Sequence, residues 1–209
     1  MYLTRTPRAV QALFKGLTWS IPGPEKVLYL TFDDGPIPEV TPWVLDTLAS
    51  FDAKATFFCV GRNAEKNPEL LARIRQEGHM VGNHTFDHVR GRSTSLRGYL
   101  RDTLKCQAIT GTTLFRPPYG SLTLPQLRVL GSHFTIVMWD VLSGDFDRQR
   151  GSSSCLRKVI DHARPGSIVV FHDSLKAEER LRYALPGTLA HFAERGYRFK
   201  ALGAGERKA

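Results

Sequence analysis

The sequence predicts a single α/β domain built on a parallel sheet, and three observations point there. Its 209 residues suit one full-sized core and would leave two independent domains cramped. Short apolar, β-rich runs recur along it, each separated from the next by a segment with helical spacing. Most of those runs are apolar throughout rather than alternating, as strands buried on both faces must be. With 42% apolar, 10% aromatic and 23% charged residues, the composition excludes a disordered or collagen-like chain. No stretch reaches the roughly 18 apolar residues of a membrane span.

Taken in order, Val10, Leu13, Phe14 and Leu17 fall at i, i+3, i+4 and i+7 and predict a short amphipathic helix within residues 1–26. The preferred expectation is that this segment packs on the domain that follows, residues 27–204, at its bottom or its open seam. Arg5, Arg8 and Lys15 leave contact with a membrane surface as the less favoured alternative. Strands are expected at Val27–Phe32, Ala55–Val60, Met80–Asn83, Thr113–Phe115, Phe134–Trp139, Ser167–Phe171 and Arg198–Leu202. Between them, Val40, Val44, Leu45 and Leu48 form a helical stripe, with Pro38 or Pro42 in its first turn. Leu70, Leu71 and Ile74 form the next, closed by Gly78, and Leu96, Tyr99, Leu100 and Leu104 a third. Leu156, Val159 and Ile160 make a fourth, and Leu185, Leu189 and Phe192 a fifth that stops at Gly196. About seven strand–helix units in one domain leave two architectures open: a barrel one unit short of eight, or an open doubly wound sheet.

Lys and Arg number 29 against 20 Asp and Glu, a net charge of +9 that speaks about partners rather than fold. Between Phe86 and Ser132 the bases Arg90, Arg92, Arg97, Arg101, Lys105, Arg116 and Arg128 face only Asp87 and Asp102. No run of consecutive bases and no recognised motif accompanies them, so a solvated basic surface is expected and nucleic acid is not. Cys59, Cys106 and Cys155 are sparse and odd in number, which argues against a disulfide framework; Cys59 reads as a buried small hydrophobe. Lys15 interrupts the only candidate for a signal peptide's apolar core, so a cytoplasmic location is expected, with cell-envelope association as the alternative.

Five segments carry chemistry. Thr31-Phe32-Asp33-Asp34-Gly35-Pro36 puts two adjacent carboxylates at a strand end, although alone it reads equally as a surface turn. On an extended chain the two would point to opposite sides, one able to hold a cation while the other faces a reacting water. His84-Thr85-Phe86-Asp87-His88 sets two imidazoles at i, i+4, close enough on one helical turn to share an ion. Arg116-Pro117-Pro118-Tyr119-Gly120 is a stiff loop whose Arg needs a carboxylate if it is buried. Trp139–Phe146 contains Asp145, and His172-Asp173 ends the sixth expected strand. In a parallel barrel every one of these strand ends converges on one face, where active sites are built. One carboxylate and two imidazoles make a three-ligand set with room for water, the make-up of a catalytic zinc site. Asp33, Arg116, Asp145 and His172 remain for acid–base work.

At these residues the sequence resembles the polysaccharide deacetylase family, the NodB-homology or family 4 carbohydrate esterases. Its motifs occur in order at Thr31–Pro36, His84–His88, Arg116–Gly120, Asp145-Phe146 and Val170–His172. The resemblance implies a distorted (β/α)7 barrel and a hydrolase removing N-acetyl groups from acetylated glycans of the chitooligosaccharide or peptidoglycan type. O-deacetylation of xylan is the alternative, and a non-catalytic glycan-binding module a more distant one. It further implies one divalent ion, zinc ahead of cobalt, on Asp34, His84 and His88. Asp33 would be the general base oriented by Arg116, His172 the general acid tuned by Asp145, and the Tyr119 N–H an oxyanion donor. Pro117, Trp139, Phe146 and Val170 would wall the acetyl pocket, with Phe146 and Val170 standing where the family commonly has Trp and Leu. Neither the glycan nor the oligomeric state follows from the sequence.

Overall fold

A computed structural model describes residues 5–14 and 16–203. Residues 1–4, Lys15 and 204–209, with the side chains of Arg8 and Val10, lie outside that description. So do the corresponding parts of the expected N-terminal segment and of the limit at 204.

Among the described residues, eight strands form one sheet. β1 (Val27–Asp33), β2 (Thr56–Cys59), β3 (Met80–Asn83), β4 (Leu114–Phe115), β5 (Thr135–Ile136), β6 (Val141–Leu142) and β7 (Ile168–His172) run in the order β5-β4-β3-β2-β1-β7-β6. All pairings along this path are parallel, and it forms the seven-stranded curled sheet of a distorted β/α barrel. β8 (Arg198–Phe199) stands off the path and pairs only with Val27 and Leu28 at the start of β1. The sequence pattern predicts β8 as a seventh stave and misses β6, a two-residue strand inside what reads as a loop. The expected strand Phe134–Trp139 keeps only Thr135–Ile136 in ladder pairing.

The helices between strands cover the outer face: α2 (Thr41–Ala49), α3 (Gly61–Lys66), α4 (Pro68–Gln76), α5 (Leu96–Thr110), α6 (Leu124–Gly131), α7 (Ser152–His162) and α8 (Glu178–Ala193), after the N-terminal α1 (Arg8–Leu13). Strand parity divides β1 between two environments. Leu28, Leu30 and Phe32 face the helices, where Phe32 stacks on Phe57 at 5.0 Å between ring centroids. Burying such a ring contributes about 2–3 kcal/mol. Val27 and Tyr29 face the other way, into a second cluster with Phe58, Val137 and Ile168. Thr31 and Asp33 continue that inward face up to the end of the strand, so the same alternation that fills the core delivers a carboxylate to its top. Cys59, Cys106 and Cys155 are all buried as free thiols.

Two helical expectations need correction. The buried stripe of α5 is Tyr99, Thr103, Cys106 and Thr110, whereas Leu96 is 38% and Leu104 54% exposed. Thr103 and Thr110 can be buried because their hydroxyls donate to the Tyr99 and Cys106 carbonyls one turn back. At the N-terminus the helix stops at Leu13, which is 79% exposed, and a turn follows in which the Leu17 N–H donates to the Phe14 carbonyl. Thr18 bridges to Val137 beyond β5, and Arg5 bridges to Val141 in β6, so this segment lies between the two ends of the strand path. Leu17 and Trp19 are buried there against Phe115 and Phe134.

Candidate active site

The C-terminal ends of β1, β3, β4 and β7 surround a cavity of about 670 Å³. Asp33, the last residue of β1, is 4% exposed and accepts a 2.7 Å hydrogen bond from Arg116 Nη1. Arg116 is fully buried just past β4. It also donates to Thr31 Oγ1 and to the carbonyls of Val137 and Met138, and lies over the Phe58 ring. Burial pulls the Arg116 pKa down, against the pull of Asp33 in the other direction. The pair is therefore a buried charge matched by a buried charge, with each of the three guanidinium nitrogens engaged.

Asp34 does not continue the extended chain. Its φ of 87° turns the backbone, so that Asp33 and Asp34 both line the same cavity instead of pointing to opposite sides. Asp34 Oδ1 lies 3.3 Å from His88 Nε2 and 3.9 Å from His84 Nε2. Burial would raise the Asp34 pKa, but the His88 hydrogen bond and the neighbouring imidazoles hold it well below the usual carboxylate range.

His84 and His88 are not on a helical turn. Thr85 and His88 take positive φ values of 62° and 54°, and the N–H groups of Phe86 and Asp87 go to the Asp102 carboxylate, with that of Thr85 going to Asn83 Oδ1. The side chains thus supply the partners that a helix would have taken from its own carbonyls, and the loop brings the two rings to 5.0 Å by another route. His84 Nδ1 contacts the Arg116 carbonyl at 2.8 Å, which requires the proton on Nδ1 and leaves Nε2 with a free lone pair. Burial pushes the His84 pKa down to about 4, favouring the neutral, ligating form.

Asp34, His84 and His88 each offer one donor atom, all within 4.8 Å of one another. Carboxylate oxygen and imidazole nitrogen in a three-ligand set fit a divalent ion with a further position for solvent or substrate.

Opposite them, His172 ends β7. Its Nδ1 is 2.8 Å from Asp145 Oδ1, and its backbone N–H donates to Asp145 Oδ2. Burial alone would lower the His172 pKa, but the Asp145 charge and hydrogen bond, with smaller contributions from Asp34 and Asp33, raise it to about 9. Phe146 meets the His172 ring edge-on at 5.0 Å. Tyr119 lies against His88 at 4.8 Å and takes φ 60°, and its N–H has no hydrogen-bond partner among the described residues. Pro117, Trp139, Phe146 and Val170 all line the cavity, whereas Arg116 and Asp145 stand behind it, each touching a residue that does.

Sequence reasoning leaves Asp173 without a role, although the residue stands beside His172. Asp173 is buried and accepts from the Gly35 N–H at 3.0 Å and the Thr41 hydroxyl at 2.6 Å. A Cβ at Gly35 would collide with its carboxylate. Burial raises its pKa to about 8, against those hydrogen bonds. Asp173 thus braces the turn that aims Asp34. Asp173→Ala is expected to cost about 2 kcal/mol by stranding two buried donors. It should also weaken metal binding about tenfold by freeing that turn. Thermal unfolding and metal titration check both effects, and unchanged metal affinity would limit Asp173 to stability.

A curled parallel barrel carrying a carboxylate–imidazole triad beside the separate Arg116–Asp33 and Asp145–His172 pairs fits a hydrolase of the metal-dependent class. Residues 20–133 match the sequence model of the family described as polysaccharide deacetylase. The chain belongs to that family. It is 33% identical over 190 residues to a peptidoglycan-N-acetylglucosamine deacetylase of Bacillus cereus, covering 88% of this chain and 89% of that one. It is 37% identical over 183 residues to the peptidoglycan-N-acetylglucosamine deacetylase PgdA of Listeria monocytogenes. That match takes in 85% of this chain but spans only 38% of the Listeria protein. Among solved structures, the Bc1960 peptidoglycan N-acetylglucosamine deacetylase superposes with a TM-score of 0.86 at 31% identity, covering 94% of this chain and 95% of that one.

Proposed function

We propose that this protein removes N-acetyl groups from acetylated amino-sugar glycans of the peptidoglycan or chitooligosaccharide type, releasing acetate, with zinc as its ion. The observation that carries the reading is the division of labour around one cavity. The Asp34–His84–His88 donor set stands apart from the Arg116–Asp33 and Asp145–His172 pairs, so ion binding and proton transfer need not compete.

A divalent ion on that donor set would supply Lewis acidity, polarising an acetyl carbonyl and lowering the pKa of a water. Asp33, held by Arg116, accepts the proton that the attacking water loses. The Tyr119 N–H donates to the carbonyl oxygen as that atom gains negative charge. His172, kept protonated by Asp145, gives its proton to the departing amine, and acetate leaves. Pro117, Trp139, Phe146 and Val170 wall the site where the acetyl group sits. Mixed nitrogen and oxygen donors around an open position support zinc.

The reading is tested by supplying peptidoglycan glycan fragments, N-acetylglucosamine oligosaccharides and acetylated xylan side by side, with acetate and new free amines measured. Acetate with matching free amine from either of the first two is expected. Release from xylan alone would make the protein an O-acetyl esterase, and no release from any would overturn the assignment. Elemental analysis of the purified protein is expected to find zinc as the predominant divalent ion.

A further inference from the structure

The leucines that α5 leaves outside are part of a larger face. Leu13, Phe14, Leu96, Leu104, Leu124 and Val129 account for most of the large apolar side chains still exposed among the described residues. They sit on three neighbouring parts of the fold. Phe14, Leu17 and Trp19 share a second cavity, of about 620 Å³, with Arg92, Leu124 and Leu127. Gln126 of α6 donates to the carbonyls of Gly91 and Thr94, tying α6 to the turn that leads into α5. Leu96, Leu100 and Leu104 line a third hollow together with Arg97 and Arg101.

The charge on this face has one sign. Arg92, Arg97, Arg101 and Arg128 are exposed and form no ion pair among the described residues. The nearby acids are already engaged: Asp102 accepts from Phe86 and Asp87, and Asp87 pairs with Arg62. Of the N-terminal bases that suggest a membrane contact in the sequence, Arg5 is paired with Asp140.

We propose that this face, built from the N-terminal segment, α5 and α6, docks on an anionic lipid bilayer. Exposed leucine and phenylalanine among unpaired arginines match the two attractions that hold a protein at such a surface, insertion of apolar side chains and attraction to acidic headgroups. A second copy of the chain is a poorer occupant, because a two-fold contact would set these arginines against one another. Pro117 lines both the second cavity and the catalytic one, so docking places the catalytic mouth beside the lipid surface.

Co-sedimentation with vesicles tests this, using phosphatidylcholine alone and phosphatidylcholine mixed with phosphatidylglycerol. Binding to the mixed vesicles is expected to exceed binding to the neutral ones and to weaken with salt. Arg97→Glu with Arg101→Glu is expected to reduce it roughly tenfold or more. Leu13→Ser with Leu124→Ser is expected to reduce it comparably and to leave the salt dependence in place. Circular dichroism establishes that each pair folds, and if one does not, the other decides. Equal partition onto both vesicle types, or wild-type binding by a folded variant pair, overturns the proposal. Self-association lost in the leucine pair, without vesicle binding, also overturns it and gives the face to a second copy.

Discussion

Replacing Asp33 with asparagine is expected to lower kcat by about 10³-fold and to leave the divalent ion in place. The expectation follows from where the two neighbouring carboxylates stand. Asp34 belongs to the cluster of donor atoms with His84 and His88, whereas Asp33 is engaged by Arg116 and keeps its other oxygen 4.0 Å from His84 Nε2. An asparagine there can still accept from Arg116 but cannot take a proton. Because Arg116 is fully buried, the variant also leaves its charge uncompensated, and a stability loss of about 3 kcal/mol is expected. Single-turnover rates, metal content and thermal unfolding separate the three effects. Loss of the ion along with activity would exchange the roles assigned to the two aspartates. A fall in kcat/KM carried by KM alone would make Asp33 a binding group instead of a base.

How far the sequence reveals this depends on whether a local pattern survives folding. β1 is legible because both of its faces are buried, which leaves a nearly continuous apolar run, whereas Asp33-Asp34 at its end gains meaning only beside the polar residues at the other strand ends. β6 is not legible, since two residues carry no periodicity and its pairing with β7 is a tertiary fact. The α5 stripe misleads for a physical reason: threonines that satisfy their hydroxyls within the helix can be buried, and the leucines beside them are then left outside. His84 and His88 show the reverse case. Their spacing suggests a helical turn, yet Asn83 and Asp102 hold the backbone in a loop that also brings the rings together. The residues of the site can therefore be named from the sequence while the local geometry cannot, because it depends on partners distant along the chain. Asp173 is the clearest instance, since its function depends on Gly35 and Thr41, far before it in the sequence.

His172→Ala is expected to lower kcat by about 10²- to 10³-fold with a much smaller change in KM, because the proton it gives is needed only as the amine departs. The pH dependence provides the sharper test. A raised histidine pKa means that the protonated form dominates below about 9, so activity that needs this acid is lost as pH rises towards that value. A bound ion would oppose the imidazolium and offset the help from Asp34 and Asp33, which sets the alkaline limb below about 9 but above the ordinary value of 6.5. The same pairing stabilises the fold, fully so below the unfolded-state value and progressively less as pH climbs through the folded one. Asp145→Asn removes the largest influence raising the His172 pKa, so its alkaline limb should move down by at least about one pH unit. A purely structural role for Asp145 would lower the rate at every pH and leave the limb where it was. Profiles of kcat for the wild type and for Asp145→Asn decide between these outcomes, and a limb that stays fixed limits Asp145 to the structural role.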